Sequence, residues 1–423
     1  MKQTKVLNII QRYHPAKGGA ELFIKILSEY QSKNLGYNVD VWTTNAYTPD
    51  ALWDLNDEIV EQEKENIEGV HVRRFAVGAG IFRNKYINKV VRVLFDRFPN
   101  FKIANLASCP TAYGMLKAID ETDFSDYAYV TVSSTPYYFL FYVGYLISKK
   151  YNIPYIIAPA FHTGEHKHDP LRRKYFKKTA VPFFEYASKI LVNTKAEQIA
   201  IMKFCQDNGV MLKEEKFVVL GQGIYLEKIN GGDGKRFREK YNLNDPIVFQ
   251  MGSKNYEKGS MNLVESMKLV WDSGIKCHLV FGGQYSEDFS KYLEGVEGKY
   301  RENILNIDNI SDEEKFDVFD ACNIFSMISK TDSFGIVYLE AWAYGKPVLA
   351  CNNEALSEII SNGVDGYLLK FDDIRVIGNT IENLLKDEKV AKHMGMEGRK
   401  KVEEKYDWSK GIKLLDYTYE KRD

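Results

Sequence analysis

The residues best placed to do chemistry lie between Thr331 and Gly345, TDSFGIVYLEAWAYG. A strand ends near Ser329, and Asp332-Ser333 reads as the cap of a helix over Phe334–Tyr344. The first turn of a helix has N–H groups without intrahelical acceptors. Here those of Ser333, Phe334 and Gly335, together with the positive helix end, suit an anion such as a phosphate. Gly335 lets a ligand approach the backbone. Glu340 follows Asp332 by eight residues, a little over two helical turns. That spacing puts both carboxylates on one helix face, one at its mouth and one deeper. Carboxylates accept hydrogen bonds in pairs, which suits the vicinal hydroxyls of a sugar or ribose. The same two residues would also serve as a plain helix cap and a solvated surface acid.

Other candidates are scattered along the chain. Gly18-Gly19 opens the amphipathic stretch Ala20–Ser32 and is either an anion-friendly turn or simply a tight one. Behind the strand Tyr155–Ala158 come His162, His166 and His168 with Glu165 and Asp169, a set that could bind zinc or line a surface loop. No second ligand group accompanies it, so no metal site is expected. Several common designs are absent. There is no GxxxxGK[ST], HExxH, GxSxG or Asp-x-Asp, and GxGxxG is absent too, since after Gly78 and Gly80 Arg83 stands where the third glycine belongs.

These residues need a scaffold of alternating strands and helices. Val6–Ile10, Ala20–Ser32 and Asn38–Thr44 form a strand–helix–strand unit, which implies a parallel sheet with crossover helices. Further strands are expected at Val70–Phe75, Tyr127–Val132, Tyr155–Ala158, Ile190–Val192 and Phe217–Leu220. The stretch Gly221–Gly234 (GQGIYLEKINGGDG) is dense in glycine and reads as a linker. The pattern then restarts with strands at Ile247–Met251, His278–Phe281, Asn303–Ile307, Ile324–Ile328 and Pro347–Ala350. Helices are expected at Met261–Trp271, Asp312–Phe319, Phe334–Tyr344, Leu356–Ile360 and, as one long region, Ile374–Lys405. Open parallel sheets bind ligands beyond the carboxyl ends of their strands, so two such units joined by a hinge would turn functional loops into a shared cleft.

The segment from Thr331, with the following GKPVLACNNEALSEIISNGVDGYLL, resembles the family 4 glycosyltransferases. Asp332 and Glu340 take that family's two acidic positions, with seven residues between them. Gly345, Pro347, Val348, Glu358, Gly363 and Gly366 follow in register. The likeness extends to Gly18-Gly19, to Gly252 with Glu257-Lys258-Gly259, and to GRKKVEEKYDW (398–408). The resemblance implies the GT-B class of α/β fold, two Rossmann-like domains facing each other across a cleft. An acceptor-side domain would span residues 1–222 and a donor-binding domain 235–408, with a last helix at about 409–423 packing back on the first. It implies a retaining, hexosyltransferase-type enzyme that needs no metal or other cofactor and takes a nucleotide-diphosphate-sugar, UDP- or GDP-linked, as substrate. Glu340 would hold the ribose, Asp332 the donor-sugar hydroxyls, and the amides around Ser333, Phe334 and Gly335 the phosphate. Lys258 would neutralise the departing diphosphate, and His162 would sit beside the reacting sugar. Gly18, Gly19, Gly252, Ser253 and Lys254 complete the implied donor site. Two positions depart from the family. Ser253 stands where Arg is usual, with Lys254 one position on as its substitute, and Asp332 is one methylene shorter than the usual Glu. These departures leave room for an inactive binding or scaffold relative, and a nucleotide-sugar epimerase is a third reading.

Composition sets the remaining bounds. The 423 residues suit two or three domains, and 45% hydrophobic with 27% charged residues describes a folded chain. Fifty-seven basic residues nearly cancel 58 acidic ones, which gives no general pull toward nucleic acid. Five scattered cysteines without a CxxC suit a reducing cytoplasm. The N-terminus reaches Arg12 and Pro15 too early for a signal peptide, and no apolar run is long enough to span a bilayer. Ile81–Ala104 carries six basic residues against Asp96, with aromatic and aliphatic residues every four positions, and Arg172–Lys178 is a second basic cluster. Such faces suit an anionic membrane surface on its cytoplasmic side, or an anionic lipid-linked acceptor beside a glycan one. Ordinary domain helices have the same pattern. The oligomeric state leaves no mark in the sequence.

Overall fold

The computed structural model describes residues 3–53, 57–78, 101–133, 135–162, 175–229, 231–330 and 332–411. The basic stretch at 81–100, the residues Glu165–Arg172 and the tail beyond 411 lie outside them, and with them the proposed membrane-binding stretch, His166, His168 and most of the expected last helix. The chain divides into two compact units that meet at Leu220 and Gly221.

The first unit is built on an eight-stranded sheet. Its strands are β1 (Lys5–Ile9), β2 (Asn38–Thr44), β3 (Lys64–Ile67), β4 (Val70–Phe75), β5 (Tyr127–Ser133), β6 (Tyr155–Ala158), β7 (Lys189–Val192) and β8 (Phe217–Val219), in the order β3-β4-β2-β1-β5-β6-β7-β8. All pairings are parallel except β3 with β4. Helices α1 (Gly19–Lys33), α2 (Tyr138–Tyr151) and α3 (Lys195–Asp207) are among its crossovers. Helix α2 is apolar over most of its surface and packs between sheet and neighbours, with Phe139, Leu140, Val143 and Ile147 buried.

The second unit holds a six-stranded, wholly parallel sheet. Its strands are β9 (Ile247–Met251), β10 (His278–Gly283), β11 (Ile304–Asp308), β12 (Ile324–Met327), β13 (Val348–Cys351) and β14 (Gly366–Leu369), in the order β11-β10-β9-β12-β13-β14. Counted within the unit this is 3-2-1-4-5-6, the Rossmann order, in which the crevice beyond the carboxyl ends of the first and fourth strands is the ligand-binding place. Those strands are β9 and β12. Helices α4 (Ser260–Asp272), α5 (Asp312–Ala321), α6 (Ile336–Ala343), α7 (Ile374–Lys386) and α8 (Glu388–Lys401) cover it. Both cores are aliphatic and aromatic, and all five cysteines are buried thiols.

Three expectations need correction. The glycine-dense stretch after Gly221 is part of the second unit and no loose linker. The rings of Trp408 and the main chain of Phe316 occupy the space that side chains at Gly223 and Gly232 would need. Ile224 donates to Tyr406 O at 2.9 Å and accepts from Trp408 N at 2.9 Å. The long helix after Ile374 is two helices, because Asp387 leaves helical geometry and caps α8 by accepting from Val390 N at 3.1 Å. The expected helix over Phe334–Tyr344 begins two residues late, at Ile336. Among the described residues no helix is long and apolar enough to cross a membrane.

Candidate functional site

The loop after β9 carries Gly252, Ser253, Lys254 and Lys258, and the loop after β12 carries Asp332 to Gly335. Two features bring them together. The Lys330 N–H donates to Glu257 O at 2.8 Å, a main-chain bond between the loops. Gly259, left-handed at φ 73°, caps α4 where a Cβ would collide with the Ile328 carbonyl. The loop after β9 therefore lies against the end of β12. Asn255 Oδ1 accepts from Lys258 N at 2.9 Å and shapes the turn. Lys258 Nζ then meets Asp332 Oδ1 at 2.9 Å, with side chains 24% and 11% exposed. The second oxygen of Asp332, Oδ2, is buried and among the described residues has no hydrogen-bond partner.

Asp332 is thus no helix cap. The N-cap of α6 is Gly335 at φ 86°, where a Cβ would stand 2.5 Å from the Tyr338 ring, and no side chain caps the helix. Ser333 and Phe334 belong to the bend before it, and among the described residues the N–H groups of Ser333, Phe334 and Gly335 have no acceptor. Phe334 is buried edge-on to Tyr406. Only the later part of the 332–340 interval is helical, so the two carboxylates do not share a helix face. They share the neighbourhood of α6 by another route.

Glu340 lies within α6, whose sequence IVYLEAWA is apolar on every side, and Tyr338 to Ala343 are all buried. A carboxylate there needs a partner. Lys315 of α5 supplies it, Nζ to Oε1 at 2.7 Å, with side chains 14% and 9% exposed. Glu340 is not a surface acid. Helix α6 is itself fixed by Trp342, whose Nε1 donates to Asp365 O at 2.8 Å and whose ring fills the space above Gly398 of α8.

Lys254, expected to stand in for the missing Arg, is committed elsewhere. Its buried ammonium donates to Asn306 Oδ1 at 2.8 Å, to Ile307 O at 3.4 Å and to Asp308. Three donors on three acceptors leave none for a phosphate. Burial lowers its pKa and Asp308 opposes that shift. Ser253 is exposed, and Gly252 donates its N–H to Gly282 O at 2.9 Å.

In the first unit, Gly18 and Gly19 open α1 after β1. The helix start is served by the chain's own acid. Glu21, buried in the first turn, pairs with buried Arg12 at 2.6 Å, and its carboxylate fills the space a side chain at Gly18 would take. His162 follows β6 and stacks on Tyr175, centroids 4.9 Å apart at 19°. Among the described residues no cluster of three or more His, Cys, Asp or Glu could hold a metal.

Lys315 escaped the sequence reading. Its one signal was a basic residue on a helix that must face the apolar helix bearing Glu340.

Residues 233–401 match the family described as glycosyl transferases group 1. The chain is 31% identical over 207 residues to the capsular polysaccharide biosynthesis glycosyltransferase CapM of Staphylococcus aureus, an alignment covering 46% of this chain and 53% of CapM. It thus spans about half the length of that curated relative. Among solved structures, sucrose-phosphate synthase of Thermosynechococcus elongatus superposes with a TM-score of 0.73 at 18% identity, covering 99% of this chain and 98% of that one. HepE of Anabaena, solved with UDP and glucose, gives 0.70 at 17%, covering 98% and 99%. The fold is that of the GT-B class.

Proposed function

We propose that this chain, whose second unit carries the group 1 glycosyl transferase domain, is a retaining glycosyltransferase that moves a sugar from a nucleotide-diphosphate-sugar to a hydroxyl acceptor. The observation that carries the reading is the pair of buried acid–lysine contacts around α6, one of them with an unsatisfied carboxylate oxygen, at the crevice of a Rossmann-ordered sheet. Structural ion pairs do not need an orphaned acceptor, whereas a sugar hydroxyl would supply its missing donor.

In this reading the N–H groups of Ser333, Phe334 and Gly335 face the diphosphate. Asp332 accepts from the donor-sugar hydroxyls and Glu340 from the ribose. The bond from C1 to the diphosphate oxygen breaks while the acceptor oxygen bonds C1 on the same face. The acceptor proton passes to the departing diphosphate, so no protein base is required. Lys258 stabilises the charge that builds on the leaving group, an interaction stronger in the transition state than before it. His162 contacts the acceptor or the reacting sugar. A glycan, glycolipid or lipid-linked acceptor is in keeping with the polysaccharide named for CapM, and UDP with the ligand named for HepE. The setting would be the cytoplasm, at the inner face of a membrane.

Calorimetric titration with UDP and GDP tests the donor site. Glu340→Gln should weaken binding at least tenfold, and unchanged affinity would remove the ribose role. Gln is preferred to Ala because it leaves Lys315 a hydrogen-bond acceptor. The engagement of Lys254 by Asp308 favours one rival, a weak or inactive binding subunit, since Lys258 then stands alone as the loop's cation toward phosphate. Nucleoside diphosphate release from UDP-glucose or GDP-mannose, with water as acceptor, separates the two. Release supports the transferase, and binding without release supports the rival.

A further inference from the structure

We propose that Glu197 is a positioning residue for His162, clamping the loop after β6 through the N–H of Phe161. The proposal rests on the reading that places His162 beside the reacting sugar.

The sequence Thr194-Lys195-Ala196-Glu197 has the spacing of a capping box, in which the Glu returns to the N-cap N–H. Thr194 plays its part, its Oγ1 accepting from Glu197 N at 3.1 Å. Glu197 does something else. Its Oε1 accepts from Phe161 N at 2.7 Å and its Oε2 from Asn193 N at 2.7 Å. Asn193 directly follows β7, and Phe161 lies just beyond the neighbouring β6. One carboxylate therefore brackets the carboxyl ends of two adjacent strands. It is 1% exposed and, among the described residues, has no cationic partner. Desolvation makes such a group costly, and α3 could be capped by Thr194 alone. The cost is explained by what the bracket holds.

Phe161 stacks on Phe176 with centroids 4.5 Å apart at 16°, and His162 stacks on Tyr175 beside it. Tyr138 OH donates to the Tyr175 carbonyl and fixes the other side of the stack. Two consecutive residues thus face two consecutive rings, and the main-chain position of Phe161 sets that of the imidazole. Earlier in the loop Pro159 O accepts from Thr135 N at 2.8 Å and Thr135 Oγ1 at 2.9 Å, and the bracket adds an anchor at Phe161 itself.

Histidine-selective 13C NMR of the full chain tests this, since the seven histidines give few signals and His162→Ala assigns the relevant one. In the wild type the His162 ring signal carries the ring-current shift of Tyr175. Recorded above pH 8, where Glu197 is ionised and both its oxygens accept, Glu197→Gln keeps the size and one acceptor but turns an amide N–H against the second donor, so that shift should be lost. Thr194→Ala weakens the helix cap but keeps both carboxylate oxygens and their two N–H donors, so it should leave the shift intact. An unchanged His162 signal in Glu197→Gln, or equal loss in Thr194→Ala, would overturn the proposal. Should Glu197→Gln not fold, Glu197→Asp, which withdraws the carboxylate by one methylene, decides by the same readout. Turnover with UDP-glucose separates the underlying reading. A displaced ring should cost up to about 10²-fold in rate. If His162→Ala leaves turnover unchanged while the NMR result stands, the bracket survives and the role given to His162 falls.

Discussion

Lys258 and Asp332 illustrate how little of an ion pair's meaning lies in its distance. Both are largely withdrawn from water, so removing Lys258 leaves the Asp332 carboxylate without its cation. Lys258→Ala should cost about 2 kcal/mol, between the values for exposed and fully buried pairs. Asp332→Asn in the same chain should recover part of that loss, and chemical denaturation of the two singles and the double measures the coupling. Glu197 gives a prediction of a different kind. Burial pushes its carboxyl up from 4.5 to about 8, against the opposing pull of two N–H donors. Between those values the folded chain holds a proton that the unfolded chain has lost, so this group's contribution to stability is complete below about 4.5 and declines as pH rises to 8. Glu197→Gln should lack that slope, as thermal melts across the window would show. At this scale the sequence spoke through residue type. Asp332 and Glu340 were legible as candidates from their type and spacing, whereas Lys258 was a candidate only through the family resemblance. Lys315 and the partners of Lys254 were not, because those contacts join positions 25, 52 and 54 apart in sequence.

Elements were legible where their periodicity was strong and mistaken where a local conformation overrode it. Helix α6 has the composition of a buried helix, and its presence could be read. Its start could not, because the left-handed turn at Gly335 replaces the cap that Asp332-Ser333 suggests. Gly335→Ala would force a side chain into the Tyr338 ring as well as strain the backbone. It should cost about 1–3 kcal/mol and weaken nucleotide binding together. The division between α7 and α8 makes the contrasting case. Asp387→Ala removes a cap, should cost about 1 kcal/mol in denaturation, and should leave nucleotide affinity unchanged. Two strands passed unnoticed for physical reasons. The edge strand β3, KENI, is mostly polar and pairs antiparallel to β4, so it lacks the apolar signal of its neighbours. The last strand, β14, is four residues long and begins at Gly366, immediately after a turn.

Over the whole molecule, the alternation of strands and helices foretold two α/β units, and the strand order of each required the structure. The second unit has its own sheet, its own core and both acid–lysine pairs. A fragment from Gly221 to the C-terminus should therefore fold and bind UDP or GDP in calorimetry, without transferring sugar. A fragment that folds but binds neither would place the donor site elsewhere. The backbone pairing of Ile224 with Tyr406 and Trp408 has a further consequence. It closes the segment from Ile224 to Trp408 on itself, with only about a strand's width between its two ends. Such a unit can be lifted out and another of the same kind spliced in at that neck without redesigning the path between them. Under the proposed function, exchanging that segment between chains of the same fold would change the donor and leave the first unit untouched.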